Sequence, residues 1–64
     1  MNKHSSATTI ARILDSARNT FAEHGFDGAR LDVIAKEAGV TKQLVYHYFK
    51  TKEELYGVVL DRVA

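Results

Sequence analysis

Residues 31–50 read LDVIAKEAGVTKQLVYHYFK, and the fold turns on them. Leu31, Ile34, Ala35 and Ala38 recur at three- and four-residue steps, the stripe of a short helix that Gly39 ends. Thr41 stands where the N-cap of a further helix belongs, and that helix runs through Tyr48 or Phe49. So short a connection suits two helices crossing near a right angle rather than lying antiparallel. The crossing needs a small residue where the backbones approach, which Ala35 supplies. It needs positive φ in the turn, which Gly39 adopts without steric cost. It also needs apolar residues that pin both helices to a third element, and Ile34, Ala38, Val40 and Val45 fill that role. Together with Tyr48 they predict a helix-turn-helix over about residues 31–50.

On the N-terminal side, Ile10, Ile13, Leu14, Ala17 and Phe21 form one apolar stripe, predicting a helix from about residue 8 to 24. Residues 1–7 are small, polar and aperiodic, and read as a flexible arm. Gly25-Phe26-Asp27-Gly28 reads as a tight connection with Phe26 tucked into the core. On the C-terminal side, Thr51-Lys52-Glu53-Glu54 is a capping box with both acids in the first turn. Leu55, Val58, Val59 and Val63 carry a fourth helix onward, and it meets no stop signal before Ala64. Gly57 inside that helix conflicts with it by about 1 kcal/mol relative to alanine and reads as a tolerated defect. The expectation is an all-α, three-helix helix-turn-helix domain with the start of a fourth connecting helix.

Sixty-four residues bound this to one small core. At 45% hydrophobic and 27% charged the chain is too apolar for a disordered tail. It has no cysteine, so neither a disulfide framework nor a thiolate metal site is open to it. His4, His24 and His47 are too scattered to suggest a ligand set, and no metal or cofactor is expected. No nucleophile–base pattern, phosphate-binding glycine loop or paired carboxylates stand out, so no catalytic residue is assigned and an enzyme is not expected. No signal-peptide or membrane-spanning stretch is present in these residues, and the expected location is the cytosol, with no membrane partner.

The net charge of +1 hides an uneven distribution. Residues 36–52 carry Lys36, Lys42, Lys50 and Lys52 against Glu37 alone, whereas the flanking windows 15–35 and 53–64 are each net acidic. An anionic partner is therefore sought at the third helix. If Val45 and Phe49 face the core, Lys42, Gln43, Tyr46 and His47 cover the outward side. Such a helix fits the major groove of duplex DNA. Base readout is assigned to Lys42 and Gln43, with guanine edges suited to lysine and adenine to glutamine, and His47 joins them on the same face. Leu44 either touches a thymine methyl or is partly buried in the core. Thr41 and Tyr46 offer hydroxyls to phosphates, and Lys52 offers an ammonium at the start of the fourth helix. Arg30 either reaches a phosphate or pairs with Asp27 or Asp32.

The assembled residues resemble the N-terminal domain of a TetR-family transcriptional regulator over about residues 8–62. The resemblance rests on Ile13 to Ala17, Phe21 to Phe26, Ile34 to Lys42 and Val45 to Leu55. The aromatic-rich run Tyr46-His47-Tyr48-Phe49, followed by Lys50 and Leu55, is its most specific part. It implies a bacterial cytosolic protein whose third helix enters the major groove of a palindromic operator, one half-site per domain. It implies phosphate contacts at Thr41, Tyr46, Tyr48 and Lys52, so that Tyr48 would reach DNA as well as packing. Family members act most often as ligand-responsive repressors and continue into a helical domain for effector binding and dimerisation. That domain is absent from these residues, so the intact protein is expected to be a homodimer and this stretch mainly a monomer.

Three positions depart from the family. Ala29-Arg30 stand where Thr-Thr or Thr-Ser often caps the second helix, so the cap is lost or moves to Asp27 or Gly28. Leu44 stands where a small or polar residue is common. The competing reading is a helical protein-interaction module that uses the Tyr46 and His47 face.

Overall fold

The computed structural model describes residues 6–63, which form four helices and, among them, no strand. These are α1 (Ser6–Gly28), α2 (Leu31–Ala38), α3 (Lys42–Tyr48) and α4 (Lys52–Val63). The first helix begins at Ser6, so Ser6 and Ala7, expected in a flexible arm, are helical; residues 1–5 of that arm lie outside the described residues. Gly25 (φ 75, ψ 174) breaks the first helix where expected. The residues after it do not form a simple connection, however. They resume one more turn, and the Ala29 N–H donates to the Gly25 carbonyl at 3.1 Å.

The predicted stripes are the core. Ile13, Leu14, Ala17 and Phe21 of α1 meet Leu31, Ile34, Ala35 and Ala38 of α2, with Val45, Phe49, Leu55 and Val59. Helix α1 packs on both α2 and α4, and α2 packs on α3. Phe26 and Val40 are half-buried against this cluster. The expected stripe of α4 holds at Leu55 and Val59 and is half-buried at Val58. It fails at Val63, which is 53% exposed.

The turn between α2 and α3 closes by a reciprocal pair of hydrogen bonds. Gly39 takes the left-handed conformation (φ 77, ψ 27). Its N–H donates to the Lys36 carbonyl at 3.1 Å, and the Val40 N–H donates to the Ala35 carbonyl at 3.0 Å. These are the two bonds of a Schellman motif, which satisfy carbonyls that the helix end would otherwise leave without donors. Ala35 is 2% exposed, so the small side chain does lie at a packed position.

Two buried polar residues of α1 have partners, one across to α2 and one within the helix. The Ser16 hydroxyl donates to the Ile34 carbonyl of α2 at 2.8 Å. The Thr20 hydroxyl donates back to the Ser16 carbonyl at 3.0 Å. Burying a hydroxyl without a partner costs roughly 1–3 kcal/mol, so these bonds let two polar residues sit inside an apolar stripe.

Candidate nucleic-acid interface

Helix α3 is presented by its ends. Thr41 is extended (φ −83, ψ 155), and its Oγ1 accepts the Leu44 N–H at 3.1 Å, the N-cap that its sequence position predicts. Its hydroxyl proton is not consumed by that bond. Phe49 closes the other end in an extended conformation, with its N–H donating to the Val45 carbonyl at 2.8 Å. Val45 is fully buried and Phe49 nearly so, which fixes the rotation of the helix. Lys42, Gln43, Tyr46 and His47 are accordingly exposed, the division of faces that the spacing predicts.

Thr41, Gln43, Leu44 and His47 line one shallow open depression. Leu44 in this lining is half-buried, which keeps some apolar surface accessible among polar neighbours. His47 lies edge-to-face on Tyr48, with ring centroids 4.9 Å apart and planes at 78°. Tyr48 itself is half-buried and packs on the core, and its hydroxyl donates to Ser6 Oγ at 3.2 Å. The third helix is thereby tied to the first residue of α1, a contact 42 positions away that no local pattern announces.

The two flanking cations are engaged with the protein. Arg30 occupies the N-cap position of α2 with no side-chain cap bond, so the cap moves to neither Asp27 nor Gly28. Its Nε and Nη2 donate to Asp32 Oδ1 and Oδ2 at 3.2 and 3.3 Å, a two-pronged pair. That hydrogen bonding raises the Arg30 pKa above its ordinary value and holds the Asp32 carboxyl below the usual carboxylate range. Both groups are exposed, and such a pair does little for stability. Of the two pairings expected for Arg30, the structure forms the one with Asp32.

Lys52 opens α4 and is half-buried. Its Nζ lies 3.5 Å from the Asp27 carbonyl oxygen and 4.7 Å from the centroid of the Phe26 ring. The capping box forms, with one difference of partner. The Glu54 N–H donates to Thr51 Oγ1 at 3.0 Å, while Glu54 Oε1 accepts from the Lys50 N–H at 3.1 Å rather than from the cap residue itself.

The residues that sequence reasoning missed are Ser6, which holds Tyr48, and Tyr56, which meets Phe21 and Phe26. Tyr56 had a signal: it lies four positions after Lys52, on the same helical face. Ser6 had none. Among the described residues, no three His, Asp or Glu side chains gather closely enough to hold a metal ion, and no helix is long and apolar enough to cross a membrane.

Comparison with known proteins places this arrangement. Residues 13–59 match the family model described as bacterial regulatory proteins, tetR family. Over 54 residues the chain is 50% identical to the HTH-type transcriptional repressor SCO4008 of Streptomyces coelicolor, covering 84% of this chain and 28% of that protein. Over 51 residues it is 47% identical to the HTH-type transcriptional regulator RutR of Escherichia coli, covering 80% of this chain and 24% of that one. The crystal structure of SCO4942 from Streptomyces coelicolor superimposes with a TM-score of 0.83 at 50% identity, covering 84% of this chain and 30% of that one. The chain thus spans about a quarter of the length of the curated relatives it matches.

Proposed function

The chain belongs to the tetR family of bacterial regulatory proteins, and from that membership we propose that it binds duplex DNA with sequence preference by laying α3 in the major groove. One observation carries the proposal. Burial of Val45 and Phe49 leaves Lys42, Gln43, Tyr46 and His47 together on the open side of α3. These are hydrogen-bonding and aromatic side chains on a cylinder of the width the major groove admits. Lys42, Gln43 and His47 read base edges, and Leu44 offers its apolar surface to a thymine methyl. Thr41 and Tyr46 hold phosphates on one flank and Lys52 holds one on the other. Tyr48 and Arg30 reach phosphate by exchanging their present partners, Ser6 and Asp32.

In a regulator of its relatives' length, this domain serves as one of two reading heads of a cytosolic homodimer on a palindromic operator, most simply a repressor released by a ligand. The catalytic alternative has no support in the site, which offers surface hydrogen bonding and no enclosed reaction centre.

The test separates readout from positioning. Lys42→Ala and Gln43→Ala should each cost about 1–3 kcal/mol on a duplex selected from random DNA and much less on mixed duplex, because a base contact is lost. Lys52→Ala should weaken both duplexes alike and lower the salt slope by about 0.9. Equal losses on both duplexes for every variant would overturn the readout assignment. If mixed duplex shifts no α3 amide signal even at low salt, the protein-interaction reading replaces it.

A further inference from the structure

Three aromatic rings meet under the first turn of α4. Phe26 stacks on Phe21 with centroids 6.0 Å apart and planes at 11°. Tyr56 meets Phe21 edge-on at 4.9 Å and Phe26 edge-on at 5.1 Å. Phe26 is therefore held by two other rings, and over its face lies the Lys52 ammonium, 4.7 Å from the centroid. The same ammonium reaches the Asp27 carbonyl oxygen at 3.5 Å.

We propose that Phe26 is a positioning residue for DNA binding: its ring, with the Asp27 carbonyl, holds the Lys52 ammonium ready for a backbone phosphate. The inference rests on the reading of Lys52 as a phosphate contact. A lysine on an open surface samples many rotamers, and fixing its head on a phosphate forfeits that freedom. Here the ring and the carbonyl already favour one placement of the ammonium in the unbound chain. The negative face of the ring attracts the cation, and the carbonyl accepts from it without carrying a full charge, so neither neutralises it as a carboxylate would. An ammonium has three N–H donors. One serves Asp27, and the remainder stay available to phosphate oxygens. The kink at Gly25 makes this possible, since it turns the chain so that Phe26 and Asp27 come up against α4 rather than continuing along α1.

The experiment uses the 64-residue chain and a short mixed-sequence duplex, with affinity measured by fluorescence anisotropy between about 50 and 200 mM salt. Phe26→Leu keeps an apolar side chain but removes the quadrupole, and should weaken binding roughly two- to fivefold. Phe26→Tyr keeps the ring face and should bind like the parent. In a Lys52→Ala background, Phe26→Leu should cause no further loss. A loss of the same size with and without Lys52 overturns the proposal, because Phe26 would then act through the fold alone. Unchanged binding of Phe26→Leu overturns it as well. If Lys52→Ala leaves affinity and salt slope untouched, the phosphate role of Lys52 fails first and the inference falls with it. A measurement on the unmutated chain guards against misfolding of the variant. The Lys52 side-chain protons should resonate upfield, shifted by the ring current, both free and bound to duplex. Resonances at ordinary lysine positions overturn the proposal.

Discussion

Glycine sets opposite requirements at two positions that look alike in space. A Cβ added at Gly25 or at Gly57 would meet nothing within 4 Å. At Gly25 the backbone lies at φ 75, ψ 174, a region that essentially only glycine occupies. Gly25→Ala should therefore cost about 1–3 kcal/mol although it clashes with nothing. Gly57 lies inside α4 with no positive φ, so Gly57→Ala should gain about 1 kcal/mol by helix propensity. Urea unfolding of both variants checks the pair, and shifts in the same direction would show that packing, not backbone conformation, governs one of them. That glycine would break the first helix is legible in the sequence, because glycine is strong local punctuation. What the chain does next is not, because the turn after Gly25 depends on Phe26 finding Phe21 and Tyr56. Ser16 is hidden for a similar reason. A serine in an apolar stripe reads as an interruption until the Ile34 carbonyl appears opposite it.

Helix α3 has seven residues, too few to persist alone, so its cap and its buried face must hold it. Thr41→Ala should lose about 1 kcal/mol of stability by removing the acceptor for the Leu44 N–H. Thr41 is also a proposed phosphate contact, and one substitution separates the two roles. Thr41→Asp keeps a capping oxygen and places a negative charge at the helix N-terminus, so stability should hold. The same charge would face a phosphate, so binding to every duplex should weaken. Thermal unfolding and anisotropy on the same samples decide it, and undiminished DNA affinity in Thr41→Asp would remove Thr41 from the interface. Elements with chemical end signals were the legible ones. Thr41, Gly39 and the Thr51–Glu54 box mark their helix ends to the residue. The start of α1 is not marked to the residue, because Ser5, Ser6, Thr8 and Thr9 are all capping types, and the helix extends to Ser6, whose hydroxyl meets Tyr48 from another element. The candidate site divides along the same line. Which side chains of α3 face outward follows from a period of 3.6 residues, whereas the partners of Arg30, Tyr48 and Lys52 follow from tertiary approach.

For the molecule as a whole, surface area argues for a single copy in solution. A standard interface takes roughly 800 Å² from each partner, near a fifth of the 4376 Å² exposed here. Of the large apolar side chains left most open, Leu60 and Val63 share one groove between α1 and α4 with Tyr56 and Val59, while Val33 and Tyr46 lie on α2 and α3 outside it, so no single face gathers all four. Tyr46, moreover, lies on the side proposed for DNA. The chain should therefore sediment as a monomer at micromolar concentration and bind a half-site weakly, with affinity falling steeply in salt because phosphate contacts supply most of it. Joining two copies by a flexible linker long enough to span two half-sites should raise affinity for a palindromic duplex about 10²–10⁴-fold without any new contact. The same tandem protein should gain far less on a duplex bearing one half-site. Equal gains on both duplexes would mean that charge alone drives the binding and that α3 reads no sequence. A stable dimer of the single chain by sedimentation would mean that the small groove at Leu60 and Val63 suffices for self-association.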